Sequence, residues 1–387
     1  MTRRLVLNAG SSSLKVALFD QGAVEVGRGA LTGLGHEPAF KFQWAGSDKA
    51  LRHSFDVTAL HMDEALDFVF AELGRAGALD GLGAIGHRIV HGGRKLTAPT
   101  LLDDAVLTYL RSLAPLAPLH QPYNLAIVDA ARGRFKDLPQ VGAFDTAFHA
   151  TRPPLQRLYG LPRAILEAGV ESYGFHGLSF DAIAGRLRTR FGEAAGGRVI
   201  VLHLGGGSSL CALAEGRSMA TTMGFSPLDG PVMATRCGAI DPGVILHLIR
   251  RQGMDAAAVE DMLYRQAGLA GLSGLTGDMR ELVASDAPQA QEALDYFVLT
   301  VCRQIGALVA TLGGVDRLVF TAGIGENAPE VRARIAGKLG WLGIELDPAA
   351  NRAGLEDIGH RDGVPALHVL RTDEERVVAE GMDACLA

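Results

Sequence analysis

LVLNAGSSSLKVALFD (residues 5–20) and VLHLGGGSSLCALAEG (residues 201–216) are two versions of one pattern. Each has an apolar run, a Gly/Ser turn and a second apolar run. Short apolar runs bounded by glycine read as buried strands, so each stretch reads as strand, turn, strand. Ala9 to Ala17 can be laid over Gly205 to Leu213, with Ser12 on Ser208, an offset of 196 in a chain of 387. That spacing points to a duplicated fold with two lobes, each opening on a hairpin. Two more apolar runs end in glycine, LGAIGHRIVHGG (82–93) and DRLVFTAGIG (316–325). Between the runs lie helical patterns at 63–76, 178–191 and 291–312; the first puts Leu66, Phe70 and Leu73 on one face, with Asp63 and Glu64 in its first turn. Strands alternating with helices indicate an α/β protein. AFKFQW (39–44) and LRHSFDV (51–57) alternate instead and read as antiparallel strands near a sheet edge.

The length suits two domains. Hydrophobic residues at 48 % and charged residues at 21 % describe a packed chain rather than a disordered one. Aromatics at 6 % are too sparse for platforms that stack single-stranded nucleic acid. With 37 basic and 43 acidic residues the net charge is −6, which argues against a general polyanion binder. Any bound anion must be gripped locally, and the 49 glycines are the means at hand. MTRRLVLNAG lacks the apolar core of a secretory leader, and no run approaches the ~18 apolar residues of a membrane span. Cys211, Cys237, Cys302 and Cys385 are dispersed, which suggests neither a zinc site nor a disulfide framework; they read as small buried hydrophobes. The expected compartment is the cytoplasm.

Successive backbone N–H groups in a Gly/Ser turn form a concavity for anions, and glycine lets a phosphate approach closely. Lys15 adds a cation, and Asn8 adds an oxygen suited to the water shell of Mg²⁺. One such turn is also an ordinary tight hairpin, but two related turns could clamp a nucleotide polyphosphate. The G-x-x-x-x-G-K-[ST] motif is absent. TAGIGENA (321–328) contains G-x-G-x-x-A between a strand and the helical PEVRARIAGKL, with Pro329 near the helix start and Asn327 and Glu330 spaced as a capping pair. Glu345, 20 residues beyond Gly325, completes a formal dinucleotide fingerprint. This leaves an NAD-dependent oxidoreductase as an alternative, although the chain after it is short for a full dinucleotide domain. Arg88, His91, Arg94, Asp145, His149, His176 and Arg236 stand in stretches dense in glycine and aromatics. Each alone has a structural explanation. Together they supply what phosphoryl transfer needs: cations, a metal-organising carboxylate and a phosphate cradle.

LVLNAGSSSLKVALFD, GHRIVHGGRK, LAPLHQPYN, FDTAFHATRPP, YGFHGLS, HLGGGSSL, MGFSPLDGPVMATRCGAIDPG, FTAGIGEN and the TDEE near the C-terminus run in order over nearly the whole chain. They resemble the blocks of the acetate kinase family, in the actin-like ATPase and sugar kinase superfamily. The resemblance implies a two-lobed, duplicated actin-like (ribonuclease H-like) α/β fold with a central cleft. It implies an N-terminal lobe of residues 1–147, to which 374–387 return, and a nucleotide-binding lobe of 148–373. It further implies reversible in-line transfer of the ATP γ-phosphoryl group to acetate, giving acetyl phosphate and ADP, with Mg²⁺, in a homodimer without nucleic-acid or membrane partners. A propionate or butyrate kinase of the same family is the near alternative.

By the same resemblance Asp145, His176 and Arg236 match catalytic positions. Arg88 matches the carboxylate-binding arginine, with Val90, Leu119, Phe175 and Pro227 at the apolar acceptor pocket. Asn8 and Glu374 match the Mg²⁺ positions, and Ser12 and Lys15 match nucleotide-phosphate contacts. Three segments match ATP-binding stretches: His203, Leu204, Gly205, Gly206 and Gly207; Asp278, Met279 and Arg280; and Gly323, Ile324, Gly325, Glu326 and Asn327. The chain departs from the family at Gly206 (Asn is usual), Phe180 (His), Ala239 (Asp), Gln121 (Asn) and Asp373 (Asn). These departures bear on acceptor preference and nucleotide affinity.

Overall fold

The computed structural model describes residues 2–10, 13–360 and 365–387. These residues divide into two units, Met1–Phe148 with Asp373–Ala387, and His149–Thr372.

In the first unit, β1 (Arg3–Ala9), β2 (Ser13–Asp20), β3 (Val24–Thr32), β4 (Ala39–Trp44), β5 (Ala50–Ser54), β6 (Leu82–Ile89), β7 (Thr100–Leu101) and β8 (Gln140–Phe144) form one sheet. Its order is β5-β4-β3-β2-β1-β6-β8-β7. β1 and β2 are the antiparallel arms of the first Gly/Ser hairpin, with Asn8 opposite Lys15. β6 and β8 then add in parallel to β1. The central strands are buried almost throughout, whereas β4 alternates and β5 lies at the sheet edge, as the alternating stretches predict. The helix Met62–Arg75 places Leu66, Val69, Phe70 and Leu73 in the core under β1 and β2. The C-terminal helix Glu374–Leu386 packs on β1 and β6. Gly86 permits this, because a Cβ there would come within 2.4 Å of Met382 Sδ.

In the second unit, β9 (Arg198–Leu204), β10 (Ser208–Ala214), β11 (Arg217–Thr221), β12 (Arg317–Thr321) and β13 (Ala366–Val369) form a sheet in the order β11-β10-β9-β12-β13. β9 and β10 are the arms of the second hairpin, and β12 and β13 extend the sheet in parallel from β9. Five strands of the first sheet, β3-β2-β1-β6-β8, have the same order and directions. The repeat at half the chain length is therefore a repeat of topology: an antiparallel meander followed by two parallel strands.

The helix Pro288–Leu312 begins three residues before the pattern at 291–312, because Pro288 occupies its first turn, where a missing N–H costs nothing. By length and composition it is long and apolar enough to cross a membrane. Its apolar stripe (Leu294, Phe297, Val301, Ile305) instead packs into the core with Ile200, Leu202 and Phe320.

Three expectations need correction. Asn327 and Glu330 do not form a capping pair. A short helix, Ala322–Asn327, occupies the turn itself, Asn327 Nδ2 donates to the Gly323 carbonyl at 2.9 Å, and Glu330 pairs with Arg334 at 3.0 Å. Glu345 lies outside the named strands, its carbonyl accepting from His360 N at 3.2 Å, so it lacks the strand-end place of a ribose-binding acid. Of the cysteines only Cys211 is buried; Cys237, Cys302 and Cys385 are half-buried, and all four are free thiols.

Two buried histidines predict an acid-sensitive fold. His87 is 2 % exposed and its Nε2 lies 2.7 Å from Gln140 Oε1. Burial pushes it down to about 4, the Gln140 bond opposing. His149 is 1 % exposed; its Nε2 donates to the Phe175 carbonyl and its Nδ1 accepts from the Ser218 hydroxyl, each at 2.9 Å. Burial, with the Arg152 charge, pushes it down to about 3. Both stay neutral in the fold, whereas an unfolded histidine takes up a proton near pH ~6.5. Their stabilising contribution is present above that pH and is lost as pH falls toward the folded values, by up to about 1.4 kcal/mol per pH unit for each. We expect the melting temperature to fall between pH 7 and pH 5, and to fall less steeply in His87→Gln. Identical slopes for the two proteins would remove His87 from this account.

Candidate active site

In the first unit the C-terminal ends of β1, β6 and β8 lie side by side, where parallel strands of α/β sheets generally present functional groups. Asn8 stands near the end of β1, Arg88 near the end of β6, and Asp145 just after β8. The Arg88 guanidinium grips Asp145 with Nε at 3.1 and 3.2 Å and Nη2 at 2.5 Å. Asp145 is 1 % exposed. Burial disfavours the charged guanidinium, but the charges of Asp145, Glu374 and Glu375 outweigh it and hold Arg88 protonated. Burial also pushes the Asp145 carboxyl up, the Arg88 charge and hydrogen bonds pull it back, and Glu374 adds to the push. Asn8 Nδ2 donates to Glu374 at 3.0 Å and to Glu375 at 2.7 Å, both in the first turn of the C-terminal helix. Three carboxylates, one amide and one guanidinium thus form a single cluster.

Sequence reasoning missed one member of this group and one residue that braces the strand ends carrying it. Glu375 is buried against Asn8, and its only signal was its place beside Glu374 in the EE doublet. Asn124 accepts from Val90 N at 3.0 Å and donates to the Ala9 carbonyl at 3.3 Å, so it ties the β1 end to the start of the 90–92 segment. Gln121, one of the departures, is fully buried and clamps that segment from His91 N and the His91 carbonyl. Its amide therefore has a holding role. Val90 is buried, and Leu119 is half-buried in the turn before the helix Gln121–Arg134. Asp373 accepts from Arg28 Nη2 at 3.0 and 3.1 Å and caps the C-terminal helix at Arg376 N. Lys15 is exposed on β2, and Ser12 lies outside the described residues.

In the second unit His176 caps the helix Gly177–Phe191 in the left-handed conformation, φ 58°. A non-glycine residue held there carries strain, which is common where a side chain must be aimed. Its Nδ1 bonds Ser209 Oγ at 2.8 Å, and its ring stacks on His203 at 4.1 Å. His203 is in turn held by Ser179 Oγ at 2.8 Å. A Cβ on Gly207 would lie 3.3 Å from His176 Nε2 and 3.5 Å from Arg236 Nη1, so both side chains border the second Gly turn. Arg236 Nη1 donates to the Pro227 carbonyl at 3.1 Å. Phe175 and Pro227 are buried.

The three segments matched to ATP binding also converge within this unit. A Cβ on Gly205 would lie 3.9 Å from Ala322 Cβ and from Gly323 N. Ala234 N donates to the Gly206 carbonyl at 3.2 Å, and a Cβ on Gly277 would press on the Ala234 carbonyl at 2.7 Å. Asp278 caps its own helix at Arg280 N and pairs with the exposed Arg280 at 2.6 Å, while Met279 is a core residue. Gly206 faces open space, so an amide side chain would fit sterically and its loss leaves room beside the turn. Phe180 is fully buried, with His149 at 5.6 Å and His203 at 6.3 Å edge-on. Ala239 is exposed.

The profile of the acetokinase family matches residues 3–380. The chain belongs to that family. Among its relatives, the acetate kinase of Rhodopseudomonas palustris is 44 % identical over 384 residues, covering 97 % of this chain and 96 % of that one. The acetate kinase of Rhizobium meliloti is 46 % identical over 389 residues, covering 98 % and 97 %. Among solved structures, a propionate kinase from Francisella tularensis superposes with a TM-score of 0.91 at 31 % identity, covering 98 % of this chain and 99 % of that one. The acetate kinase of Porphyromonas gingivalis gives 0.86 at 30 % identity, with full coverage of both. The acetokinase fold is thus the α/β, actin-like class that the resemblance implied, and this family membership displaces the oxidoreductase alternative.

Proposed function

We propose that this acetokinase-family chain transfers the γ-phosphoryl group of ATP to acetate, reversibly, giving acetyl phosphate and ADP. The observation that carries the reading is the pair of half-buried Arg88 and buried Asp145, joined through Asn8 to Glu374. A carboxylate is already a nucleophile at neutral pH, so catalysis rests on positioning and charge stabilisation rather than on a general base. Arg88 holds the acceptor carboxylate beside the apolar Val90. One acceptor oxygen bonds to the γ-phosphorus as the bond from that phosphorus to the bridging oxygen breaks, and ADP leaves with the electron pair. Arg236 and His176 neutralise charge on the transferring group, and the three glycine-bordered segments hold the nucleotide.

Mg²⁺ suits the first cluster, whose donors Asn8, Asp145 and Glu374 are all hard oxygens. No group of three or more His, Cys, Asp or Glu set for a metal occurs among the described residues. Mg²⁺ ordinarily keeps several of its waters and takes further oxygens from phosphate, so it asks for few protein ligands. Glu374, half-buried, would hold it, with Asn8 and Asp145 steadying its waters. The ion's contribution when bound is to offset phosphate charge.

A homodimer in the cytoplasm completes the reading. The helix Pro242–Gln252 has no buried residue, yet Val244, Leu246 and Ile249 are 42, 48 and 40 % exposed. Such exposed apolar surface around one helix favours a second copy of the chain. Four free thiols suit a reducing compartment.

The test is purified protein with Mg-ATP, hydroxylamine to trap acyl phosphate, and acetate, propionate and butyrate in parallel. The expected result is the largest kcat/KM with acetate, from a particle of twice 40.8 kDa by light scattering. A methylene alters pocket binding by only about 1–3 kcal/mol, so propionate should retain measurable turnover. No acyl phosphate from any of the three would end the reading, and a preference for propionate would reassign the acceptor.

A further inference from the structure

Glu326 lies in the glycine-rich turn after β12, and a single oxygen of its carboxylate makes three hydrogen bonds. Oε1 accepts from Thr321 Oγ1 at 3.3 Å, from Ala322 N at 2.9 Å and from Thr372 N at 3.1 Å. The first two fix the start of the turn. Ala322 needs fixing, because its φ is +64°, a conformation an L side chain rarely adopts. The third bond spans 46 residues and reaches the segment that leaves β13 beside β12, where Leu370 N donates to the Phe320 carbonyl at 3.0 Å. Thr372 is two residues before Glu374. From the other side, the buried Arg332 holds the Gly325 and Glu326 carbonyls at 2.9 and 3.0 Å and is itself anchored on Asn351. The turn is therefore gripped at the Ala322 N–H by Glu326 and at two of its carbonyls by Arg332.

We propose that Glu326 is a positioning residue that ties the nucleotide-holding turn to the segment delivering Glu374, rather than a ligand of the nucleotide or the metal. The proposal rests on the nucleotide and Mg²⁺ roles given above. Its chemistry differs from that of a ligand in one respect. All three bonds need an acceptor oxygen at one point in space, and none needs a negative charge. A glutamine can place its amide oxygen at that point, whereas an aspartate, one methylene shorter, keeps the charge and loses the reach.

The experiment compares Glu326→Gln, Glu326→Asp and Glu326→Ala with the unaltered full chain. Initial rates give KM for ATP, Mg²⁺ and acetate, and calorimetric titration with ADP reads the turn without catalysis. We expect Glu326→Asp and Glu326→Ala to raise KM for ATP and for Mg²⁺ and to weaken ADP binding, each at least tenfold. KM for acetate should stay within twofold, and Glu326→Gln within threefold of the unaltered chain throughout. Glutamine failing as badly as alanine would overturn the proposal, since the charge would then be in use. So would aspartate behaving normally, or an equal rise in KM for acetate, which is general loosening. If alanine does not fold, the glutamine–aspartate contrast still decides. Absence of acyl phosphate from the unaltered chain is failure of the functional reading; the ADP titration then still judges the clamp.

Discussion

Arg236→Ala should lower kcat by roughly 30- to 1,000-fold, a loss of about 2–4 kcal/mol of transition-state stabilisation, which is the usual cost of removing one donor aimed at developing charge. The guanidinium is set in advance: Nη1 is held by the Pro227 carbonyl at 3.1 Å and borders Gly207 together with His176 Nε2. A cation placed beforehand needs no reorganisation as charge shifts onto the transferring group, so its removal should appear in kcat more than in KM. Arg236→Lys should restore little, because a point charge on a flexible stem lacks the planar fork. Arg236 is only partly buried, so the melting temperature should change far less than kcat. Near-normal turnover in a folded Arg236→Ala protein would remove it from the chemistry.

The second large effect is on stability as well as activity. Arg88→Ala leaves Asp145 buried at 1 % exposure without its guanidinium, and breaking a buried ion pair on one side costs about 3–5 kcal/mol. The urea midpoint should fall, and KM for acetate should rise because the group proposed to meet the acceptor carboxylate is gone. Adding Asp145→Asn to Arg88→Ala removes the stranded charge. The double variant should recover much of the lost stability while recovering none of the activity. If the double variant were no more stable than the single, the loss would come from the guanidinium's packing and not from the pair. An unchanged KM for acetate would place the acceptor elsewhere.

The hairpins were legible in the sequence because their determinants are local. Glycine and serine between two Val/Leu runs suffice to specify a turn between buried strands. Helical periodicity likewise located Met62–Arg75 and Gly177–Phe191 to within a residue or two. Capping was less legible: Asn327 has the right type and spacing for a cap, but the turn before it coils into its own short helix and takes the side chain. The structural partners of the site were not legible. Asn124 and Ala9 are 115 residues apart, Asn8 and Glu375 are 367 apart, and Glu326 and Thr372 are 46 apart. No spacing rule joins such positions. Glu326 is a further case: an acid in a glycine-rich turn reads as a ligand, and no spacing announces that its Oε1 accepts from three donors of its own unit.

What the sequence determined by itself was therefore the repeat. The same strand, Gly/Ser turn and strand occurs at an offset of 196, because short-range turn chemistry and apolar runs are written into consecutive residues. What only the tertiary structure decided was which charges meet. Parallel strands joined through distant chain bring their ends together, so Arg88 found Asp145 rather than solvent, and Asn8 found both glutamates. The physical reason is that a buried charge is tolerated only beside its complement, and that complement is chosen by sheet order, which a linear pattern does not encode.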